Sequence, residues 1–134
     1  MSPSAGTILY AEDDEAIGKA YTAGLTMAGF DVTHVADGEA ALEALSHGHY
    51  DLFLLDLYMP GTDGFEVLRR LSHPTGLRPQ TPIVVILSAD DTPITMEMVF
   101  ELGAMSCLPK TEYTPSRLAK RLRRWIDETA GQSA

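Results

Sequence analysis

Residues 51–56 read DLFLLD, an apolar run closed at each end by an aspartate. A strand with one face in water alternates apolar and polar residues, because successive side chains point to opposite faces. An unbroken run suits a parallel strand that is covered on both sides. The stretch therefore predicts the central strand of a parallel sheet, with Asp56 as the charge at its carboxyl end.

Working outward, the same alternation of short apolar runs and helical patterns recurs. Upstream, Thr7 to Ala11 predicts a strand, and Ala16, Ile17, Ala20, Tyr21, Gly24, Leu25 and Ala28 recur at helical spacing until Gly29. Val32 to Ala36 predicts a second strand. Asp37 can cap a helix carrying Ala40, Ala41, Leu42, Ala44 and Leu45, which Gly48 ends. Downstream, the turn MPGTDG precedes a helix marked by Phe65, Val67, Leu68 and Leu71, and SHPTGLRPQTP at 72–82 is a loop. Pro82 to Ser88 predicts the fourth strand and Met105 to Leu108 a short fifth. Thr92-Pro93 and Thr114-Pro115 are cap-and-first-residue pairs. The first opens a helix ending at Gly103, with Ile94, Val99 and Leu102 inward. The second opens a helix with a Leu118, Leu122, Trp125 and Ile126 stripe.

Five successive strand–helix units imply a parallel sheet with helices on both faces, since parallel strands need right-handed crossovers. The 134 residues, 45% of them hydrophobic, suffice for one domain and one core. We place it at 7–129, with short tails at 1–6 and 130–134. The formal net charge is −9, which disfavours a nucleic-acid partner. Residues 110–134 reverse the balance, with six basic and three acidic residues. No apolar run is long enough to span a membrane, and the start MSPSAG has no signal-peptide pattern. A single cysteine, Cys107, excludes an internal disulfide. These features predict a soluble, cytoplasmic protein with no membrane partner.

In folds of this class ligands bind beyond the carboxyl ends of the strands. Four acids in a row, Glu12, Asp13, Asp14 and Glu15, follow strand one; Asp56 follows strand three, Ser88 ends strand four, and Lys110 follows strand five. Singly, each has a structural reading: a helix cap, a turn residue, a tied hydroxyl, a solvated charge. Together they describe one crevice. Converging carboxylates repel and raise one another's pKa unless a cation neutralises them. Mg2+ takes carboxylate and water oxygens and shares its shell with phosphate, and Mn2+ is the alternative. A lysine and a hydroxyl would then hold phosphoryl oxygens. The set reads as phosphoryl transfer to Asp56.

Four blocks, ILYAEDDEAI, DLFLLDLYMPGTDGFEVL, IVVILSAD and ELGAMSCLPK, resemble in order the receiver domains of two-component response regulators, over nearly the whole chain. The resemblance implies a flavodoxin-like (βα)5 doubly wound sandwich, strand order 2-1-3-4-5. It implies Asp56 as phosphoacceptor, Glu12 and Asp13 as metal residues with the Tyr58 backbone carbonyl, and Ser88 and Lys110 as phosphoryl-stabilising groups. A one-residue shift of register would hand the metal to Asp13 and Asp14. Otherwise Asp14 and Glu15 open the first helix, a placement worth about 0.3–1 kcal/mol each at most. The donor would be a histidine kinase or phosphotransfer protein, and the output a downstream protein target. Receivers transmit through the face made by helix four, strand five and helix five, as monomers or as phosphorylation-dependent homodimers. They are signalling switches with intrinsic autophosphorylation and autodephosphorylation, not metabolic enzymes.

Ser88 and Cys107 occupy the switch positions, and Cys107 stands where receivers often carry Tyr or Phe. Pro109 precedes Lys110, where many receivers have a proline after it. Tyr58 and Asp90, each two residues past a site residue, are expected to tune the acyl-phosphate lifetime through water access. Met96, Met98, Met105, Arg117 and Arg121 are candidates for the partner face, flexible methionine suiting adaptable surfaces. The histidines, His34, His47, His49 and His73, show no ligand spacing and receive no role. A haloacid-dehalogenase-like phosphatase shares the Asp, Mg2+, hydroxyl and lysine, but needs a second Asp where this chain has Tyr58. An FMN carrier would have to seat phosphate among the acids of YAEDDE. A further alternative is a receiver excised from a larger hybrid kinase or regulator.

Overall fold

The computed structural model describes residues 4–72, 82–90 and 92–132. In chain order the elements are β1 (Thr7–Ala11), α1 (Glu15–Met27), β2 (Asp31–Val35), α2 (Gly38–His47), β3 (Leu52–Leu55), α3 (Gly64–Ser72), β4 (Ile83–Ser88), α4 (Pro93–Glu101), β5 (Ser106–Pro109) and α5 (Pro115–Gln132). A 3-10 turn at Lys110–Glu112 joins β5 to the last helix. The five strands pair in parallel in the order β2-β1-β3-β4-β5, which puts the apolar run of β3 in the middle. The loop expected at 72–82 lies mostly outside the described residues, as does His73.

Period-two alternation sorts the strand side chains into two cores. Leu9, Ala11, Phe53, Leu55, Val84, Ile86 and Cys107 pack with the inward residues of α2, α3 and α4. Ile8, Tyr10, Leu52, Leu54, Val85, Leu87 and Leu108 pack against α1 and α5, where Leu118 and Leu122 are buried and Trp125 and Ile126 partly so. Residues 52–55 are all fully buried, as a strand covered on both faces requires.

Local chemistry starts the helices where the sequence predicted. Asp14 caps α1 by accepting the Ile17 N–H at 3.0 Å, so it belongs to the helix. Asp37 accepts the Ala40 N–H at 2.7 Å, and Thr92 and Thr114 accept the N–H groups of Thr95 and Arg117. Glu15, in the first turn of α1, pairs with Lys19 at 3.0 Å.

Several expectations need correction. β2 and β5 are each displaced by one residue from the predicted spans, to Asp31–Val35 and Ser106–Pro109. Within the stretch expected as the N-terminal tail, Ala5 donates to the Gly29 carbonyl at 2.9 Å and the Gly6 carbonyl accepts from Asp31. The last helix continues to Gln132. Ile94 is 73% exposed, whereas Thr95 and Val99 are the buried residues of α4. That helix is apolar nearly all round, so its pattern could not set its phase.

One close approach fixes the exit of the central strand. A Cβ on Gly64 would lie 2.7 Å from the Asp56 carbonyl oxygen and from the Leu57 Cα, both backbone atoms. Glycine lets α3 begin beside that exit, where the Gly64 N–H donates to the Leu57 carbonyl at 2.8 Å. Gly64→Ala is expected to cost roughly 1–3 kcal/mol, as overpacking against unyielding atoms does. Urea denaturation checks this: an unchanged midpoint would show that α3 yields freely.

Candidate functional site

The register of the sheet sets the site. Ala11 of β1 pairs with Leu55 of β3, so Glu12 and Asp56 leave their strands side by side. Glu12 donates its N–H to the Val35 carbonyl at 3.0 Å, and Asp56 donates its N–H to the Ala11 carbonyl at 3.1 Å. This edge is also where strand order reverses, β1 lying between β2 and β3. On the other side Ser88 pairs with Pro109, and Lys110 is the next residue. The proline before the lysine thus serves as the last residue of β5, and the Tyr21 hydroxyl secures the turn beyond by donating to the carbonyls of Lys110 and Tyr113.

Glu12, Asp56 and Ser88 are buried. The Lys110 ammonium donates to Glu12 Oε1 in a short ion pair and lies 3.6 Å from Asp56 Oδ1. Glu12 also accepts the Asp14 N–H at 3.2 Å and the Tyr10 hydroxyl at 3.4 Å. Burial works to raise the Glu12 carboxyl, but the hydrogen-bonded Lys110 holds it below its ordinary value. For Asp56 the balance reverses. Burial pushes its carboxyl up to about 7, against the pull of Lys110 and with the help of the Glu12 charge. Lys110 is committed to Glu12, which leaves Asp56 under-compensated.

Asp13 completes the set. Carboxylate oxygens of Glu12, Asp13 and Asp56 lie within 4.8 Å of one another, with Asp13 exposed and the other two buried. Among the described residues this is the group that could hold a metal ion. Three oxygen donors, one open to water, beside a buried carboxylate short of positive charge, fit a hard divalent cation. Asp14 is not among them, being engaged as the cap of α1.

The remaining candidates lie around this centre. Ser88 Oγ accepts the Asp90 N–H at 3.1 Å. The Tyr58 N–H donates to Asp56 Oδ1 at 3.4 Å, and its hydroxyl donates to Asp90 Oδ2. That hydroxyl, first among several donors, holds the Asp90 carboxyl well below its usual value. Cys107 is buried in the core on the α4 side. Met98 and Met105 are exposed, whereas Met96 packs partly buried against that core. Arg117 and Arg121 are exposed and stack over Tyr113 and Trp125.

A family model, response regulator receiver domain, matches residues 8–123. The chain belongs to this family. It is 35% identical over 126 residues to the response regulator protein PmrA of Pseudomonas aeruginosa, covering 94% of this chain and 55% of that protein. It is likewise 35% identical over 127 residues to the DNA-binding response regulator MtrA of Mycobacterium tuberculosis, covering 92% and 53%. The chain spans about half the length of these curated relatives. Among solved structures it resembles the BeF3-activated N-terminal receiver domain of Klebsiella pneumoniae RstA, with 30% identity and a TM-score of 0.79 over 90% of this chain and 97% of that one. A CheY-like receiver domain from Methanospirillum hungatei shares the fold, with a TM-score of 0.84 at 22% identity over 98% and 99%. No helix among the described residues is long and apolar enough to cross a membrane.

Sequence reasoning missed part of this receiver's site. His34, given no role, sets Nε2 2.9 Å from the Glu12 carbonyl oxygen and stacks on Tyr10, with ring centroids 5.3 Å apart. The carbonyl can only accept, so Nε2 carries the proton. Gly18 makes room, because a Cβ there would lie 2.3 Å from the ring. His34 and Tyr10 thus hold the backbone and the carboxylate of one residue. The signal was present only as a pairing, Tyr10 opposite His34 on adjacent strands, which needs the register to be seen.

The Asp56 shift has a measurable sign. Raised from about 4 in the unfolded chain to about 7 in the fold, this carboxyl favours folding fully only below about pH 4, and that contribution is lost as pH rises to about 7. In metal-free buffer, Asp56→Asn should therefore stabilise the protein by on the order of 2 kcal/mol at pH 8, and by clearly less at pH 5. Thermal melts at the two pH values check this; equal stability of both proteins at pH 8 would contradict it.

Proposed function

We propose that this receiver takes a phosphoryl group from a phosphohistidine of a histidine kinase or phosphotransfer protein onto Asp56, and that residues 7–129 act as one unit in doing so. The observation that carries the reading is the convergence of Glu12, Asp13 and Asp56 with a lysine that touches both buried carboxylates. Glu12, Asp13, Asp56 and the Tyr58 backbone carbonyl would hold Mg2+, or Mn2+ in its place. A cation held there would supply positive charge to offset that of the group in transfer.

The chain's own residues do the rest. An Asp56 carboxylate oxygen attacks phosphorus, the bond from phosphorus to the donor nitrogen breaks, and the nitrogen leaves with the electron pair. The product is an acyl phosphate. Lys110, already beside Asp56, donates to one phosphoryl oxygen. The Ser88 hydroxyl accepts from Asp90, so its own proton is left to donate to another. Tyr58 and Asp90, bonded to each other beside Asp56 and Ser88, limit the approach of water and so tune the lifetime of the product.

Output would pass to a downstream protein target through the face of α4, β5 and α5. The exposure of Ile94, Met98, Phe100 and Met105 on α4 and before β5, and of Arg117 and Arg121 on α5, supports that reading. The place of action is the cytoplasm, and the role is that of a switch. A phosphatase reading is not favoured, since the second acid it requires is replaced by Tyr58, whose hydroxyl is bound to Asp90.

Incubation with Mg2+ and acetyl phosphate should yield a single phosphoryl adduct by intact mass, absent in Asp56→Asn or with chelator. Ser88→Ala and Lys110→Ala should slow adduct formation, each by on the order of 100-fold. An adduct of equal yield on Asp56→Asn would sink the assignment. Steady turnover of unrelated phosphate esters would support the phosphatase instead.

A further inference from the structure

Four polar side chains are buried among the described residues: Glu12, Asp56, Ser88 and Thr95. Three belong to the site above. The fourth lies in the first turn of α4, and the proposed chemistry does not use it. A buried hydroxyl needs partners, and those of Thr95 lead back to the site. Its Oγ1 donates to Asp90 Oδ2 at 2.9 Å and accepts from the Thr92 hydroxyl at 3.0 Å. The same Asp90 oxygen accepts the Tyr58 hydroxyl, and Asp90 Oδ1 accepts the Thr92 N–H at 3.0 Å. Asp90 in turn donates its own N–H to Ser88 Oγ at 3.1 Å. One residue thus joins the end of β4, the loop after β3 and the first turn of α4.

We infer that Thr95 is a positioning residue that couples the phosphoacceptor site to α4 through Asp90. This rests on the phosphoacceptor reading of Asp56. When the Ser88 hydroxyl turns to a phosphoryl oxygen, the Asp90 N–H bonded to its Oγ must follow or let go. Either movement displaces the Asp90 carboxylate, which grips Thr95 and the Thr92 N–H at the start of the helix. Thr95 faces inward, while Ile94 and Met98 stand exposed on the flank of the same turns. A shift of that turn therefore re-aims the apolar side chains a partner would meet. The connection runs through side chains on the β4 side and needs no aromatic ring on β5, where Cys107 stands.

The test separates the coupling from the site itself. Beryllofluoride with Mg2+ serves as the phosphoryl mimic, binding is read by calorimetry, and hydrogen–deuterium exchange reports on residues 93–101. In the wild-type chain the mimic should change exchange in α4 by several-fold. Thr95→Val keeps shape and burial but removes the hydroxyl; it should still bind the mimic while the change in α4 falls below about twofold. Thr95→Ser should restore it, which a mere packing role would not produce. Where Thr95→Val proves poorly folded, Asp90→Ala removes the carboxylate that Thr95 bonds and should likewise reduce the response. A full α4 response in Thr95→Val, or in Asp90→Ala when that variant is used, overturns the coupling. So does wild-type binding with no α4 response. Failure of wild type to bind the mimic sinks the phosphoacceptor reading instead.

Discussion

One lysine faces two buried carboxylates where β1 and β3 end, and much of the chain is arranged around that imbalance. The Lys110 ammonium is bonded to Glu12 and stands farther, 3.6 Å, from Asp56. One cation cannot compensate two buried anions, so the second carboxylate is left costly to ionise. The parallel register makes the conflict unavoidable: residues that follow paired strand positions emerge together. A fold that did nothing but pack would not place two acids there.

Seen from that constraint, the surrounding residues divide by what they hold. Tyr10, His34 and the Asp14 N–H fix Glu12 by its carboxylate and its carbonyl. The Tyr58 N–H reaches Asp56, and the Tyr58 hydroxyl reaches Asp90, which holds Ser88. Glycines at 18 and 64 let a ring and a helix approach where a Cβ would collide. The rigid sheet edge gives the geometry, and the unpaired share of negative charge suits the cluster to a hard divalent cation. Preorganisation of this kind places charges before the reaction needs them.

How much of this was legible in the sequence depends on the range of the signal. The uniform burial of Leu52 to Leu55, the caps at Asp37, Thr92 and Thr114, and the meeting of the strand-one acids with Asp56 followed from local pattern and one topological rule. Which of the acids at 12–15 join Asp56 was implied only by the family resemblance; in the fold Asp14 caps α1, and Glu12 and Asp13 lie with Asp56. What failed was information carried between elements. His34 could not be paired with Tyr10 without the strand register. Thr95 was hidden because hydrophobicity assigned the inward side of α4 to Ile94, whereas a threonine with satisfied hydroxyl bonds occupies a core position as readily. Met96 and Met98, two residues apart, fell on opposite sides of the same ambiguity, one partly buried and one exposed.

The under-compensated carboxylate, Asp56, is the proposed acceptor of the phosphoryl group. The most direct measurement of this is to treat the chain with Mg2+ and acetyl phosphate, reduce the acyl phosphate with borohydride, and locate the reduced residue by peptide mass spectrometry. Reduction is expected at Asp56 alone, and only when the divalent cation is present. Reduction at Asp13, Asp14 or Asp90 with Asp56 untouched, or labelling indifferent to the cation, would contradict it.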